Sequence, residues 1–360
     1  MPSDPADSTS VPLLAVLRER IARDGPMPLD AYMRACLQDP KHGYWQRAAT
    51  LGAAGDFITA PEVSQVFGEL IGLWAAVTWQ IMGSPSPVRL VELGPGHGTL
   101  MRDAVRAAKA VSQFRAAADL HLVEMSAPLR EVQRQTLASE GGIAWHERLD
   151  AVPPGPAIII GNEFLDALPI RQLVHRNGVW RERVVEFGSN GSLVFGLGAE
   201  GLAQTDLAPQ EGAVLELRPG EDDVLRVLAA RSEPFVSLVI DYGPSEPAFG
   251  DTLQAVSRHA YVDPLAAPGA ADLTAHVQFA VLARKARALG LAVSGPMAQA
   301  EFLGRLGIIE RAQRLMAANP ATAGDIEAAV QRLVSPSGMG GLFKVLAIHT
   351  PALSPPPPFG

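Results

Sequence analysis

"LVELGPGHGTL", residues 90–100, is an apolar run that breaks into three glycines at alternate positions. The run reads as a buried β-strand, and "TLMRDAVRAAKAV" (99–111) reads as a helix. Strand, glycine turn and helix in that order open an α/β fold and aim backbone N–H groups at the turn. Glycine is needed where a ligand lies against the backbone, because a Cβ would intrude. The turn therefore predicts a nucleotide-like cofactor. The glycines alone leave two candidates: a dinucleotide, for hydride transfer, or S-adenosylmethionine, for methyl transfer.

The same alternation extends outward. Apolar strands are predicted at 118–126, 143–149, 157–160, 235–243, 291–296 and 342–349. Helices are predicted between them, at 126–139, at "TAHVQFAVLARKARALG" (274–290) and in segments over 299–334. Ser126 is a natural N-cap there, with Pro128 in the first turn. Apolar strands separated by helices predict a parallel sheet covered on both faces. Before the sheet, helices are expected at 11–25 and 28–40, and a long one from Pro61. Two Asn-Gly pairs, Asn177-Gly178 and Asn190-Gly191, mark hairpins within an inserted antiparallel segment over about 170–225. The predicted organisation is a disordered tail (1–10), an N-terminal helical region contributing to the donor site (11–87), the catalytic domain (88–350) and a Pro-rich, extended or disordered tail (351–360).

Bulk composition narrows the function. The 360 residues carry a net charge of −8, which argues against a general nucleic-acid binder. One cysteine, Cys36, rules out an internal disulfide and a cysteine-rich metal site. No metal site is expected. The N-terminus lacks the basic and apolar regions of a secretory signal, and "LIGLWAAVTW" (70–79) is too short to span a bilayer. A soluble, cytoplasmic protein is the expectation; the oligomeric state is not legible.

Two departures favour the methyl donor. The dinucleotide fingerprint places a third glycine where this chain has Thr99. Glu92 stands two residues before Gly94, unfavourable for a pyrophosphate but favourable for the ammonium and sulfonium of S-adenosylmethionine. Gly94, Gly96 and Gly98 would then line the donor. Glu124, ending the second strand, can accept both hydroxyls of a ribose from either cofactor. His146 follows the third strand, where adenine often packs. The fourth strand leads into "GNEFLDALP" (161–169) beside the first strand, at the topological switch point. It supplies Asn162, assigned to the donor side, and Glu163 and Asp166, candidates for holding the acceptor.

These residues carry a resemblance. "GDFITAPEVSQVFGELIG" (55–72), "VELGPGHGTLMRD" (91–103), "GNEFLDALPIRQ" (161–172), "DYG" (241–243) and "DTLQAVSRHAYVDPLAAPGAADLTAHVQF" (251–279) are similar to blocks of the MidA-like methyltransferases. "GPMAQAEFLGRLGI" (295–308) and "FKVLAI" (343–348) add to the match. The mitochondrial members of that family are complex I assembly factors and arginine methyltransferases. The resemblance implies a class I S-adenosylmethionine-dependent fold, a mostly parallel seven-stranded sheet whose last strand is antiparallel. It implies that Phe57 and Thr59 close over the donor. It also implies an acceptor arginine on a protein, a respiratory complex I subunit among the candidates. Two departures stand out: Trp45 after Gly43-Tyr44, where a second tyrosine is usual, and Gly341, where a glutamate is common.

An arginine acceptor sets a chemical demand. Guanidinium is a poor nucleophile while charged and delocalised, so carboxylates must grip it and help remove a proton. Glu163 and Asp166 are the candidates, with Asp241 third. His276 is a candidate base or orienting group. Tyr44, His259 and Asp263 are assigned to the acceptor pocket. The alternatives are a small-molecule or other protein-group methyltransferase, a non-catalytic donor-binding assembly protein, and, more distantly, a dinucleotide oxidoreductase.

Overall fold

The computed structural model describes residues 12–46, 58–203 and 205–360; the expected tail at 1–10 and Phe57 lie outside them. The chain forms two compact units. One is built from Met1–Arg47, Pro169–Leu217 and Phe249–Thr274, the other from Ala48–Leu168, Arg218–Ala248 and Ala275–Gly360. The residues expected as one N-terminal region, 11–87, are divided between them.

The second unit holds the sheet. Its strands are β1 (Val88–Leu93), β2 (Ala118–Val123), β3 (Ala144–His146), β4 (Ala157–Asn162), β5 (Phe235–Tyr242), β6 (Ala292–Ala298) and β7 (Phe343–His349). They lie in the order β6-β7-β5-β4-β1-β2-β3. β7 runs antiparallel to both β5 and β6, and the pairs from β5 to β3 are parallel. This is the expected class I methyltransferase sheet. Alternate residues feed two cores. Leu90, Ile158, Ile160 and Leu238 face one, beneath α1 (Gln65–Ile81) and α2 (Thr99–Ala108). Val91, Ile159, Val239 and Leu346 face the other, beneath α4 (Pro219–Ala229) and α5 (Phe279–Ala288). α3 (Ala127–Thr136) follows β2, and Ser126 Oγ accepts the Leu129 N–H at its start, as predicted. Each fully buried aliphatic side chain in these layers contributes about 1.5–3 kcal/mol.

Gly68 and Gly72, one turn apart on α1, let it meet α2 at backbone distance. A Cβ at Gly72 would lie 2.3 Å from the Ala104 carbonyl oxygen. That contact seats the helix whose first turn forms one wall of the glycine turn.

Four expectations need correction. The long helix from Pro61 is two helices, Ala60–Val63 and α1, because Ser64 is extended and its Oγ accepts the Val66 N–H. The helix expected over 274–290 begins only at Phe279. Ala275 N–H donates to the Asp166 carbonyl and Val277 N–H to the Tyr242 carbonyl, so this stretch spends its backbone donors on the sheet side. His276 thus lies in the connection before the helix, not in it. The antiparallel insertion ends at Leu217, and Pro219 already opens α4. Finally, the Pro-rich tail packs down: Trp74 Nε1 donates to the Pro357 carbonyl and the Phe359 ring lies 5.9 Å from that of Phe302.

The first unit is antiparallel. Arg171–Arg176, Val179–Phe187, Leu193–Glu200 and Val214–Leu217 pair with one another, with Met27–Pro28 on the outer edge. Asn177-Gly178 forms a two-residue hairpin with both φ positive, 52° and 78°. Among the described residues no helix is long and apolar enough to cross a membrane.

Candidate active site

The C-terminal ends of β1 and β4 lie side by side, with β1 crossing to β2 on one side and β4 to β5 on the other. At the end of β1, Gly94, Gly96 and Gly98 all adopt left-handed φ, 58°, 53° and 82°. A Cβ at Gly94 would meet the Phe164 ring at 2.9 Å, so "GNEF" packs on the turn itself. Thr99 donates to Glu62 Oε1 at 2.6 Å, and His97 Nδ1 lies 3.7 Å from the same oxygen. The bond from His97, with Thr99 adding to it, holds the Glu62 carboxyl below its ordinary range despite its burial.

Glu92 is buried under the first turn of α2 and accepts the Met101 N–H. Burial pushes its pKa up to about 8. The folded protein therefore holds a proton that the unfolded chain releases above about 4.5. This stabilisation is complete below that value and is lost as pH rises toward 8. Donor-free protein is expected to unfold at lower urea at pH 8 than at pH 6, and Glu92→Gln to reduce the difference. A pH-independent midpoint in the parent chain would contradict this placement.

Glu124, at the end of β2, accepts the Ser126 N–H at 2.8 Å and the Gln133 amide at 3.2 Å. Burial raises its pKa. Gln133 Nε2 also donates to the Gly96 carbonyl at 2.8 Å, and its Oε1 accepts from Trp145 at 3.0 Å. One fully buried amide thus ties the glycine turn, Glu124 and β3 together. His146 gives its carbonyl to the Glu124 N–H, and its Nε2 sits 2.9 Å from His121 Nδ1.

Across the switch point, Glu163 sits at φ 49°, a left-handed conformation costly for a non-glycine residue. It is held there by its N–H, which donates to the Ile240 carbonyl, and by Oε1, which accepts from Ala60 N–H and Asn162 Nδ2. Burial and the nearby Asp166 raise its pKa to about 7. Asp166 is buried, with a pKa lifted by burial to about 6, and the Tyr242 hydroxyl bonds to it. Asp241 is fully buried: Oδ2 accepts the Leu165 and Asp166 N–H groups and Oδ1 the Tyr242 N–H. Burial and the neighbouring Asp166 raise its pKa well above the usual range. The His276 ring stands edge-on to Tyr242 at 5.3 Å. Gly243 allows this segment in, since a Cβ there would lie 2.0 Å from the Val277 carbonyl oxygen.

Thus Glu163, Asp166, Asp241 and His276 come together through the ends of β4 and β5. Glu92, Gly94, Gly96, Gly98, Glu124, His146 and Asn162 frame the neighbouring turn, with Thr59 at the start of the Ala60–Val63 helix. Tyr44, His259 and Asp263 belong to the first unit. There Tyr44 is fully buried, His259 is exposed in a turn at φ 61°, and Asp263 accepts the Leu265 N–H. Gln133, Glu62 and Tyr242 escape a sequence reading. Glu62 lies in a quoted block but has no spacing signal, and a buried glutamine in an amphipathic helix has none either.

The donor set suits S-adenosylmethionine. Glu92 Oε2 and Asn162 Oδ1 are buried and find no hydrogen-bond partner among the described residues. Gly94 is exposed and Gly96 half-buried, which leaves their backbone open to a ligand, and the acids suit a cation and a ribose.

Comparison with known proteins agrees. A family profile described as S-adenosyl-L-methionine-dependent methyltransferase matches residues 70–297. The mitochondrial protein arginine methyltransferase NDUFAF7 homolog of Drosophila melanogaster is 36% identical over 98% of this chain and 88% of its own length. The Homo sapiens protein arginine methyltransferase NDUFAF7 is 33% identical over 96% of this chain and 85% of its own. A crystal structure from Burkholderia thailandensis, bound to S-adenosyl-homocysteine, superposes with a TM-score of 0.85 at 28% identity, covering 98% of this chain and 96% of that one. The mitochondrial location of the similar relatives overturns the cytoplasmic expectation. Fold, donor turn and near full-length similarity place the chain in one family: it belongs to the S-adenosyl-L-methionine-dependent methyltransferases and takes S-adenosylmethionine as its cofactor.

Proposed function

We propose that the chain methylates an arginine of a protein substrate. The observation that carries this is the carboxylate pair Glu163 and Asp166 at the switch point, with Asp166 Oδ1 buried and unpartnered among the described residues. A cation with several N–H donors answers that unpaired oxygen, and guanidinium is such a cation. The names of the NDUFAF7 relatives support the same acceptor. Within the family resemblance, a respiratory complex I subunit is the candidate partner.

S-adenosylmethionine supplies an activated methyl group when bound. The donor side is assigned to Phe57, Thr59, Glu92, Gly94, Gly96, Gly98, Glu124, His146 and Asn162. Glu163 and Asp166 grip the guanidinium, localise its charge and align one nitrogen in line with the methyl. Glu163, poised near neutrality, takes the proton that this nitrogen must lose. Asp241 acts through backbone, fixing Leu165 and Asp166. His276 orients Tyr242.

The reading predicts that kcat/KM for an arginine-bearing protein rises with pH and levels off above about 7. Below that value Glu163 is protonated and can neither pair with the cation nor accept a proton. A profile that is flat from pH 6 to 8, or that falls, would remove Glu163 as the base.

A further inference from the structure

Among the described residues of the second unit, Arg218 is the one arginine that is almost completely buried, at 3% exposure, and no motif in the sequence marks it. Its Nε donates to Glu221 on α4, itself 1% exposed. Its Nη2 donates to the Leu165 carbonyl at 2.6 Å, and Nη1 to the His276 carbonyl at 3.0 Å. The Ala275 carbonyl lies 3.4 Å from the same Nη1. The guanidinium fork therefore joins the loop after β4, which carries Glu163 and Asp166, to the segment before α5, which carries His276. Asp241 holds the same loop from its other side through the Leu165 and Asp166 N–H groups. Ala275 N–H, donating to the Asp166 carbonyl at 2.9 Å, closes the link.

Burying an arginine is expensive unless it is paired and fully bonded. A fold that needed only to fill this space would use an apolar side chain. We propose that Arg218, neutralised by Glu221, is a positioning residue for methyl transfer: it sets the backbone of Leu165 and His276 so that Asp166 faces the acceptor and the His276 ring meets Tyr242. The proposal rests on the arginine-acceptor reading for what Asp166 does, but not for the clamp itself.

The clamp has an electrostatic consequence. Asp166 is faced by Arg218, the Tyr242 hydroxyl, Asp241 and Glu163, and Arg218 is the nearby cation that favours its ionised form. Beyond Arg218 stand Glu221, then Lys285 and Asp222. Loss of the Arg218 charge raises the Asp166 pKa, so the ionisation of Asp166 joins that of Glu163 on the acid side of the kcat profile and steepens it.

Three variants test this. Arg218→Lys keeps the charge but not the planar fork; its kcat is expected to fall by about tenfold, with the acid limb unmoved. Arg218→Gln loses both; its kcat is expected to fall by about a hundredfold, with the acid limb steepened by the second ionisation. If Arg218→Gln does not fold, the double variant Arg218→Met, Glu221→Met removes both buried charges together and is expected to show the same fall in kcat. In each, S-adenosylmethionine should bind as in the parent by calorimetry. Amide exchange at Leu165, Asp166 and Ala275 should accelerate by about tenfold or more, a readout that needs no acceptor. Parent-like kcat in Arg218→Lys, or parent-like exchange in the charge-free variants, overturns the proposal. Absence of label on arginine in the parent chain would instead overturn the acceptor reading, while exchange still decides the clamp.

Discussion

Glu163→Gln is expected to lower kcat by about two to four orders of magnitude, the usual worth of a positioned general base. Its affinity for S-adenosylmethionine should stay within about threefold of the parent, or about 0.65 kcal/mol. The separation follows from geometry. Glu163 faces the switch point from β4, and its Oε1 takes the Ala60 and Asn162 N–H groups. Glutamine keeps an oxygen for those donors and preserves the size of the side chain. It removes the charge that pairs with guanidinium and the site that accepts a proton. The left-handed backbone at 163 persists, since the Ile240 bond is unchanged. Calorimetry and single-turnover transfer measure the two halves. A variant with parent-like kcat would exclude Glu163 from the mechanism.

The second large effect belongs to the donor turn. Gly94→Val places a β-branched side chain at φ 58°, a conformation such residues rarely adopt. Its Cβ would also lie 2.9 Å from the Phe164 ring, which the strand-end packing holds in place. Strain and contact both push the turn away from the ligand. S-adenosylmethionine affinity is expected to fall by about a hundredfold or more, equal to about 2.7 kcal/mol. In a thermal melt the parent chain should gain stability at a hundredfold excess of donor over Kd, by about 2.7 kcal/mol, and the variant should gain almost none. NAD should stabilise neither. Parent-like donor stabilisation in Gly94→Val would mean that the ligand does not lie on this backbone.

Much of this architecture is written in local pattern. The strands of the sheet are apolar runs with turn residues at their ends, so their positions are legible from β1 to β7. The Asn177-Gly178 hairpin is legible for the same reason. What fails to read through depends on partners distant in sequence. "TAHVQF" looks helical by apolar spacing, yet Ala275 and Val277 give their N–H groups to Asp166 and Tyr242, a competition no local window contains. The Pro-rich tail looks extended and solvated, but the Trp74 indole offers a donor for the Pro357 carbonyl. The glycine turn and the acids Glu92, Glu124, Glu163 and Asp166 are legible because their residue types are chemically specific. Gln133 and Arg218 are not, since their work is to bond backbone carbonyls that only the fold brings near. Asp241 is legible as a strand-end acid, but its commitment to three N–H groups appears only in three dimensions.

The most direct test is to incubate the protein with methyl-labelled S-adenosylmethionine and a cell lysate, hydrolyse the products and assign the label by mass spectrometry. The account predicts label on arginine side chains of protein, absent when Glu163→Gln replaces the parent. Label confined to small molecules or to other amino acids would contradict it.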